Sequence, residues 1–329
     1  MKPFNVFPYD SAIDFMRLRV ISMIVAAAIM FVGIGAMVGK GFNFALDFTG
    51  GVGIELAYDK PVDVEGVRKR LDAAGFEGAQ VQTFGSGREL LVRLRADVGE
   101  DKSAGARNVE AANAEDAAAS VAEDVRAAAS EPGNAARKLR SAEISPQVGR
   151  ELAENGLYAL LFVVIGFLVY ISFRFEWKFA VAAIITTLHD VVVVAGWFAL
   201  TGHEFDLTVL AGILSVMGYS INDTIVVFDR VRENFRGMRA NPAEVLNRSI
   251  NQTLSRTVIT SFVAFLTVLA LYLYGGGSLK GMAESQMLGI IIGTLSSIFV
   301  ACPLLMWLGV SKQDLMPKAR DEAALARRP

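Results

Sequence analysis

Asp223 is a carboxylate inside a stretch that otherwise reads as lipid-soluble. An ionisable side chain at the centre of a membrane span costs about 2.5–3.5 kcal/mol on insertion scales, so it is a functional candidate by default. The run TVLAGILSVMGYSINDTIVVFDRVRENF sets Asp223 roughly one helical turn or more inside the hydrocarbon, at about 1.5 Å per residue. Ser220 and Tyr219, at i−3 and i−4, can share its face, and Asn222 adds a neighbouring polar group. Arg256, in LSRTVITS, opens the next apolar run from the same side, and Thr260 follows it by one turn. Antiparallel neighbours would bring Asp223 and Arg256 to similar depth. A carboxylate, a guanidinium and a hydroxyl at one level suit a proton relay: desolvation favours the protonated acid, a nearby guanidinium favours the anion. Moving the arginine would then load or release a proton. One elementary charge crossing 100 mV carries about 2.3 kcal/mol, comparable to the cost of rearranging a helix interface. The plainer reading of the same residues is a static ion pair that fixes helix packing.

His189–Asp190 is a second polar pair, near the middle of another apolar run. Adjacent residues on a helix point about 100° apart, so a hydrogen bond to a neighbouring helix is the expected role. A proton step at Asp190 is the alternative. Two histidines and the single Cys302 argue against a histidine zinc site, a cysteine cluster or an internal disulfide. Neither HExxH nor GxSxG occurs, so the residues predict no enzyme, no metal and no cofactor. A net charge of −2 supplies no field for nucleic acid.

These side chains need a membrane bundle to hold them. The chain has 329 residues, 53% hydrophobic and 20% charged, with mean hydropathy +0.41, which fits a membrane part joined to a soluble part. Six runs approach the length of about 20 residues that spans a bilayer: 20–38, 156–171, 179–200, 207–228, 258–274 and 287–310. Nearly every Lys and Arg of the connections falls on one side, including Arg17, Arg174, Lys178, Arg230, Arg232, Arg236 and Lys312. That side is expected to be cytoplasmic, with both termini inside and the segment after span one outside.

The expected fold is therefore a polytopic α-helical membrane protein of six transmembrane helices, with an extracytoplasmic α+β domain between the first and second. The divisions are a cytoplasmic segment 1–19, span one at 20–40, a periplasmic domain 41–155, spans two to six at 156–310 and a cytoplasmic tail 311–329. A cytoplasmic loop is expected at about 229–256. In the inserted domain, strands at 51–58, 79–84, 89–95 and 136–144 alternate with helices at 62–75 and 104–130. The order βαββαβ matches the ferredoxin-like split βαβ motif. The Ala-rich 104–130 helix reads as solvated or partly mobile, with a partner-binding helix as the alternative.

Asn241, Pro242 and Glu244 form a helix start signal. It predicts a separate helix at 242–255 lying on the membrane surface, with Asn247, Asn251 and Gln252 facing a polar environment or span four. Gly35–Gly39 and Gly289–Gly293 have the spacing of close helix contacts.

The motifs resemble the SecF family, whose members are the smaller subunits of bacterial SecDF protein-export complexes. The resemblance runs through LDFTGG (46–51), FRFEWK (173–178), LHD (188–190), GYSINDTIVVFDRVRENFR (218–236), LSRTVITS (254–261) and LYLYGGG (271–277). It departs at SPQVG (145–149), where the family usually has Gly before the Pro. The resemblance implies the resistance-nodulation-division superfamily, half of a twelve-helix unit completed by SecD. It implies work at the SecYEG channel, with YidC and other auxiliary subunits, using the proton-motive force on a translocating preprotein in the inner membrane. It places Asp223, Arg256 and Thr260 on the proton path. It also makes Asp47, Gly50 and Gly51 a flexible joint to the outer domain. A stand-alone proton-coupled small-molecule transporter is the alternative; it would need two copies and a solute pocket.

Overall fold

A computed structural model describes residues 11–76, 78–84, 88–95, 114–144 and 146–315. The expected hairpin turn at 85–87, the first part of the Ala-rich helix (104–113), Ser145 and the basic tail from Lys318 onward lie outside the described residues.

Among the described residues, six helices are long and apolar enough to cross a membrane. Span one is Arg19–Gly39, span two Pro146–Arg174, span three Trp177–Thr201, span four Leu207–Gly237 and span five Pro242–Tyr274. Span six runs as Gly277–Ser296, a π turn at Ser297–Ala301, then Cys302–Trp307. Spans three, four and six are the centre: 56%, 50% and 61% of their apolar windows are buried, against 6%, 11% and 11% in spans one, two and five. Both interior aspartates, Asp190 and Asp223, are held on those central spans, and span five adds buried Ser249, Thr253, Thr257 and Ser261.

Span five corrects the sequence reading. One unbroken helix runs from Pro242 to Tyr274, so there is no separate surface helix at 242–255. Span four continues to Gly237, which leaves only residues 238–241 between the two helices. The start signal is where the sequence put it: Asn241 accepts from the Glu244 amide at 2.9 Å. Asn234 on span four donates to Gln252 and Ser249, knitting the polar extensions together. Asn247 and Asn251 instead hold the segment before span one. Asn251 pairs with both backbone groups of Ile13, and Asn247 joins Met16 N and Asp14.

The π turn has a covalent cause. Pro303 has no N–H and its ring crowds the carbonyl four residues earlier, that of Phe299. Freed inside hydrocarbon, a carbonyl needs another donor, and the Ser22 hydroxyl of span one supplies it at 2.9 Å. Span one meets span three where Gly33 and Gly196 stack backbone on backbone. Gly35 and Gly39, the pair picked out by spacing, face open space, whereas Gly289 and Gly293 do pack on Val216 and Ser220 of span four.

The inserted domain comprises β1 (Asn43–Phe44), α1 (Leu46–Thr49), β2 (Gly51–Ala57), α2 (Val64–Ala73), β3 (Gln80–Phe84), β4 (Glu89–Arg95), α3 (Ala114–Ala129) and β5 (Arg137–Ile144). From β2 on, the elements follow the expected strand–helix–strand–strand–helix–strand order. The sheet is antiparallel, in the order β3-β4-β2-β5. Alternation puts Ile54, Leu56, Leu90, Val92 and Leu94 into one core with Val67 and Leu71 of α2. Asp63 caps α2 by accepting from Glu65 N and Gly66 N. The Ala-rich helix is not merely solvated: Ala122, Val125 and Ala129 are fully buried in that core. Its thin apolar face suits a close approach to the sheet. β1 does not join this sheet but pairs in parallel with β6 (Glu204–Phe205), which lies between spans three and four.

Candidate functional site

Among the described residues two carboxylates lie buried inside the bundle, and span four touches both. Asp190 on span three is fully buried. Its Oδ2 accepts from Ser220 Oγ of span four at 2.5 Å and from Ser296 Oγ of span six at 2.7 Å. Its Oδ1 meets His189 Nδ1 at 2.9 Å. The cross-helix bonds are those expected, but the adjacent pair also interacts: side-chain rotamers bridge the angle that the backbone sets between neighbours. Gly293 on span six leaves the clearance that lets Ser220 and Asp190 approach, since a Cβ there would lie 3.2 Å from Ser220 Cβ and 3.7 Å from Asp190 Oδ2.

Asp223 sits one turn beyond Ser220 on span four, is 3% exposed, and its Oδ2 is buried without a hydrogen-bond partner. Ser261 lies beside it. That hydroxyl donates to the Thr257 carbonyl at 2.7 Å and accepts from Tyr219 Oη at 2.8 Å and Thr294 Oγ1 at 2.7 Å. Ser261 also reaches the Asp223 carboxylate, whose Oδ2 is still left without a partner. Thr224 Oγ1 and Thr257 Oγ1 are also buried without partners.

Arg256 is the charged neighbour of Asp223, but the two do not form an ion pair. Its residue is exposed on the side of span five, and so is Thr260, whose hydroxyl bonds back to the Arg256 and Thr257 carbonyls. Asn222 is exposed too, on the outer side of span four. The structure thus gathers buried Asp223 and Ser261 with half-buried Tyr219 and Thr294, and leaves Asn222, Arg256 and Thr260 exposed, Thr260 still within reach of the Tyr219 hydroxyl. Ser261, Thr294 and Ser296 were not singled out from sequence. Lone hydroxyls in apolar helices usually bond back to a carbonyl one turn earlier, and carry no pattern that marks the exceptions.

The joint at Asp47, Gly50 and Gly51 is tightly packed. Gly50 and Gly51 take positive φ values of 69° and 131°, and a Cβ on Gly149 of span two would come within 2.9 Å of Gly50 N. Glycine is required here for conformation and clearance. Asp47 accepts from the Leu207 amide at the head of span four. Among the described residues no cluster of His, Cys, Asp or Glu could hold a metal ion.

Residues 124–311 match the family described as protein export membrane protein SecD/SecF, C-terminal, and residues 35–62 match the SecD/SecF GG motif. The protein translocase subunit SecF of Pseudomonas aeruginosa is 42% identical over 94% of this chain and 96% of its own length. That of Vibrio alginolyticus is 40% identical over 95% of both. The crystal structure of SecDF, a translocon-associated membrane protein from Thermus thermophilus, superposes with a TM-score of 0.75 and 35% identity. It covers 92% of this chain and 39% of its own, so this chain spans about two fifths of that polypeptide.

Proposed function

Because this chain belongs to the SecF family of protein translocase subunits, we propose that it is the smaller half of a proton-driven export machine, with Asp223 as its proton-carrying group. The observation that carries the reading is a buried carboxylate oxygen without a hydrogen-bond partner in the middle of a bundle. Such an oxygen is costly as an anion and comfortable as an acid, so its preferred state follows the position of the nearest cation. Arg256 is that cation, within electrostatic reach but unpaired. Closing the gap favours the anion and releases a proton; opening it favours uptake. Tyr219, Ser261 and Thr294 give an adjoining hydroxyl chain.

The outward-facing Asn222, Arg256 and Thr260 support a partner at membrane level, because a guanidinium facing lipid is expensive. SecD is the partner this reading assigns, supplying a further carboxylate to the path. The pair would act beside SecYEG, with YidC and other auxiliary subunits, on a translocating preprotein in the inner membrane. Both termini would be cytoplasmic and the inserted domain periplasmic, following the one-sided basic connections.

In inverted inner-membrane vesicles carrying SecD, Asp223→Asn is expected to assemble normally and to lose stimulation of export by the proton gradient. Full gradient dependence in that variant would overturn the reading. Arg256→Lys keeps the charge but loses the planar fork, and is expected to be impaired.

A further inference from the structure

The head of span four is held from outside the membrane by an acidic patch and one arginine. Asp206 caps the span by accepting from Val209 N at 2.7 Å, and Asp47 accepts from Leu207 N at 3.2 Å. Glu204 stands two residues earlier, in β6. Against these carboxylates lies Arg93 of β4, ion-paired with Glu204; the two side chains are 17% and 15% exposed. Asp206 and Asp47 act on the same guanidinium electrostatically. Burial lowers its pKa from the ordinary guanidinium value, and those two carboxylates oppose that shift.

The contact has a regular construction. Arg93 is the cross-strand partner of Gln80 in the domain's sheet, and Glu204 is the cross-strand partner of Asn43 in the two-stranded sheet. Gln80 Nε2 donates to Asn43 Oδ1 at 3.0 Å beside the Arg93–Glu204 pair. Two neighbours on one sheet thus dock on two neighbours on another. The two-stranded sheet is in turn fastened to span three, because Lys40 and Asn43 donate to the Leu200 and Gly202 carbonyls. Phe205 adds apolar grip, with ring centroids 4.9 Å from Phe42 and 6.1 Å from Phe198.

We propose that Arg93 is a coupling residue: through Glu204, and with Gln80 on Asn43 beside it, the inserted domain and the head of span four move as one body. Span four carries Asp223, so a helix displacement tied to proton uptake would be delivered to the domain, and a load on the domain would be felt at the carboxylate. This rests on the proton reading given above. Glu204 is the paired carboxylate, with Asp206 and Asp47 adding attraction around the same guanidinium, so removing the arginine charge loosens the whole contact at once.

The test uses vesicles carrying the full chain with SecD. Arg93→Gln is expected to cut gradient-stimulated export about fivefold or more, the low end of coupling between distinct sites, while the amount of assembled complex is unchanged. The exchange Arg93→Glu with Glu204→Arg is expected to restore it, which a loss of mere packing would not. A disulfide between Gln80→Cys and Asn43→Cys is expected to leave export gradient-stimulated, because locking bodies that already move together costs nothing. Full stimulation in Arg93→Gln, or a loss on locking that reductant reverses, would overturn the coupling. Asp223→Asn runs alongside: if it retains gradient dependence the proton reading fails, and if it alone loses it only the coupling fails.

Discussion

Asp190 and Asp223 are both aspartates buried in the same bundle, and span four lies against one and carries the other. Asp190 receives two serine hydroxyls and an imidazole nitrogen from three directions. Asp223 has a buried oxygen with no partner and an arginine nearby that does not close on it. A carboxylate surrounded by donors has its hydrogen-bonding capacity taken up as the helices pack. One left short of donors keeps two states close in energy. Polar satisfaction therefore separates the residue that builds the bundle from the residue that can work in it.

The sharpest way to break that comparison is Asp190→Leu. It strips the acceptor from Ser220, Ser296 and His189, and is expected to lower stability by about 3 kcal/mol or more, at about 1–3 kcal/mol for each buried polar group left unsatisfied. Unfolding of the purified protein in detergent reads it; a change no larger than that of Asp223→Asn would dissolve the distinction. Next in size is Gly293→Ala, which pushes a methyl against Ser220. It is expected to cost about 1–3 kcal/mol, as overpacking does, and to disturb the Asp190 contacts before those of Asp223; hydroxyl-sensitive infrared bands of the serines would follow it.

Asp223→Asn itself should move stability by about 1 kcal/mol or less, since Ser261 is its one hydroxyl neighbour and Oδ2 has no partner to lose. Its effect belongs to export. The smallest effect is a control outside the membrane. Burial acts to raise the Asp314 carboxyl, but Lys178 and the Ser311 hydroxyl and amide outweigh it and hold the group below the ordinary range. The Lys178–Asp314 clamp is therefore fully effective above about pH 3.9 and is lost as pH falls through the depressed folded value. Proteolysis after residue 315 should accelerate only in that acidic window. A gradient dependence that survives Asp223→Asn yet follows this acidic window would point to the clamp instead.

Much of the architecture was legible in the chain because hydropathy and the 3.6-residue period are local. The six spans and the alternating strands of the inserted domain needed no tertiary information. The continuity of span five was not legible: Asn247, Asn251, Gln252 and Arg256 look like an interruption to a hydropathy scale, although a helix can carry polar residues beyond the bilayer. At the site, Asp223 and Arg256 announced themselves by being charged in an apolar run. The outward face of Asn222 and the closeness of Gly33 to Gly196 depend on which neighbour each helix meets. So does the choice of Ser261, Thr294 and Ser296 from many hydroxyls. The sequence period ranks faces but does not name neighbours.

Span five has 33 residues, about 50 Å of helix at 1.5 Å per residue, against a hydrocarbon core of about 30 Å. With the 31 residues of span four beside it, it is long enough to form a stiff mast that would stand clear of a bilayer. The rigging on that mast is the stretch Ile13–Met16, lashed to Asn247 and Asn251. A small tilt pivoting near Asp223 would sweep the masthead through the larger arc and haul that line, tugging span one from its root while the inserted domain is driven at the other end.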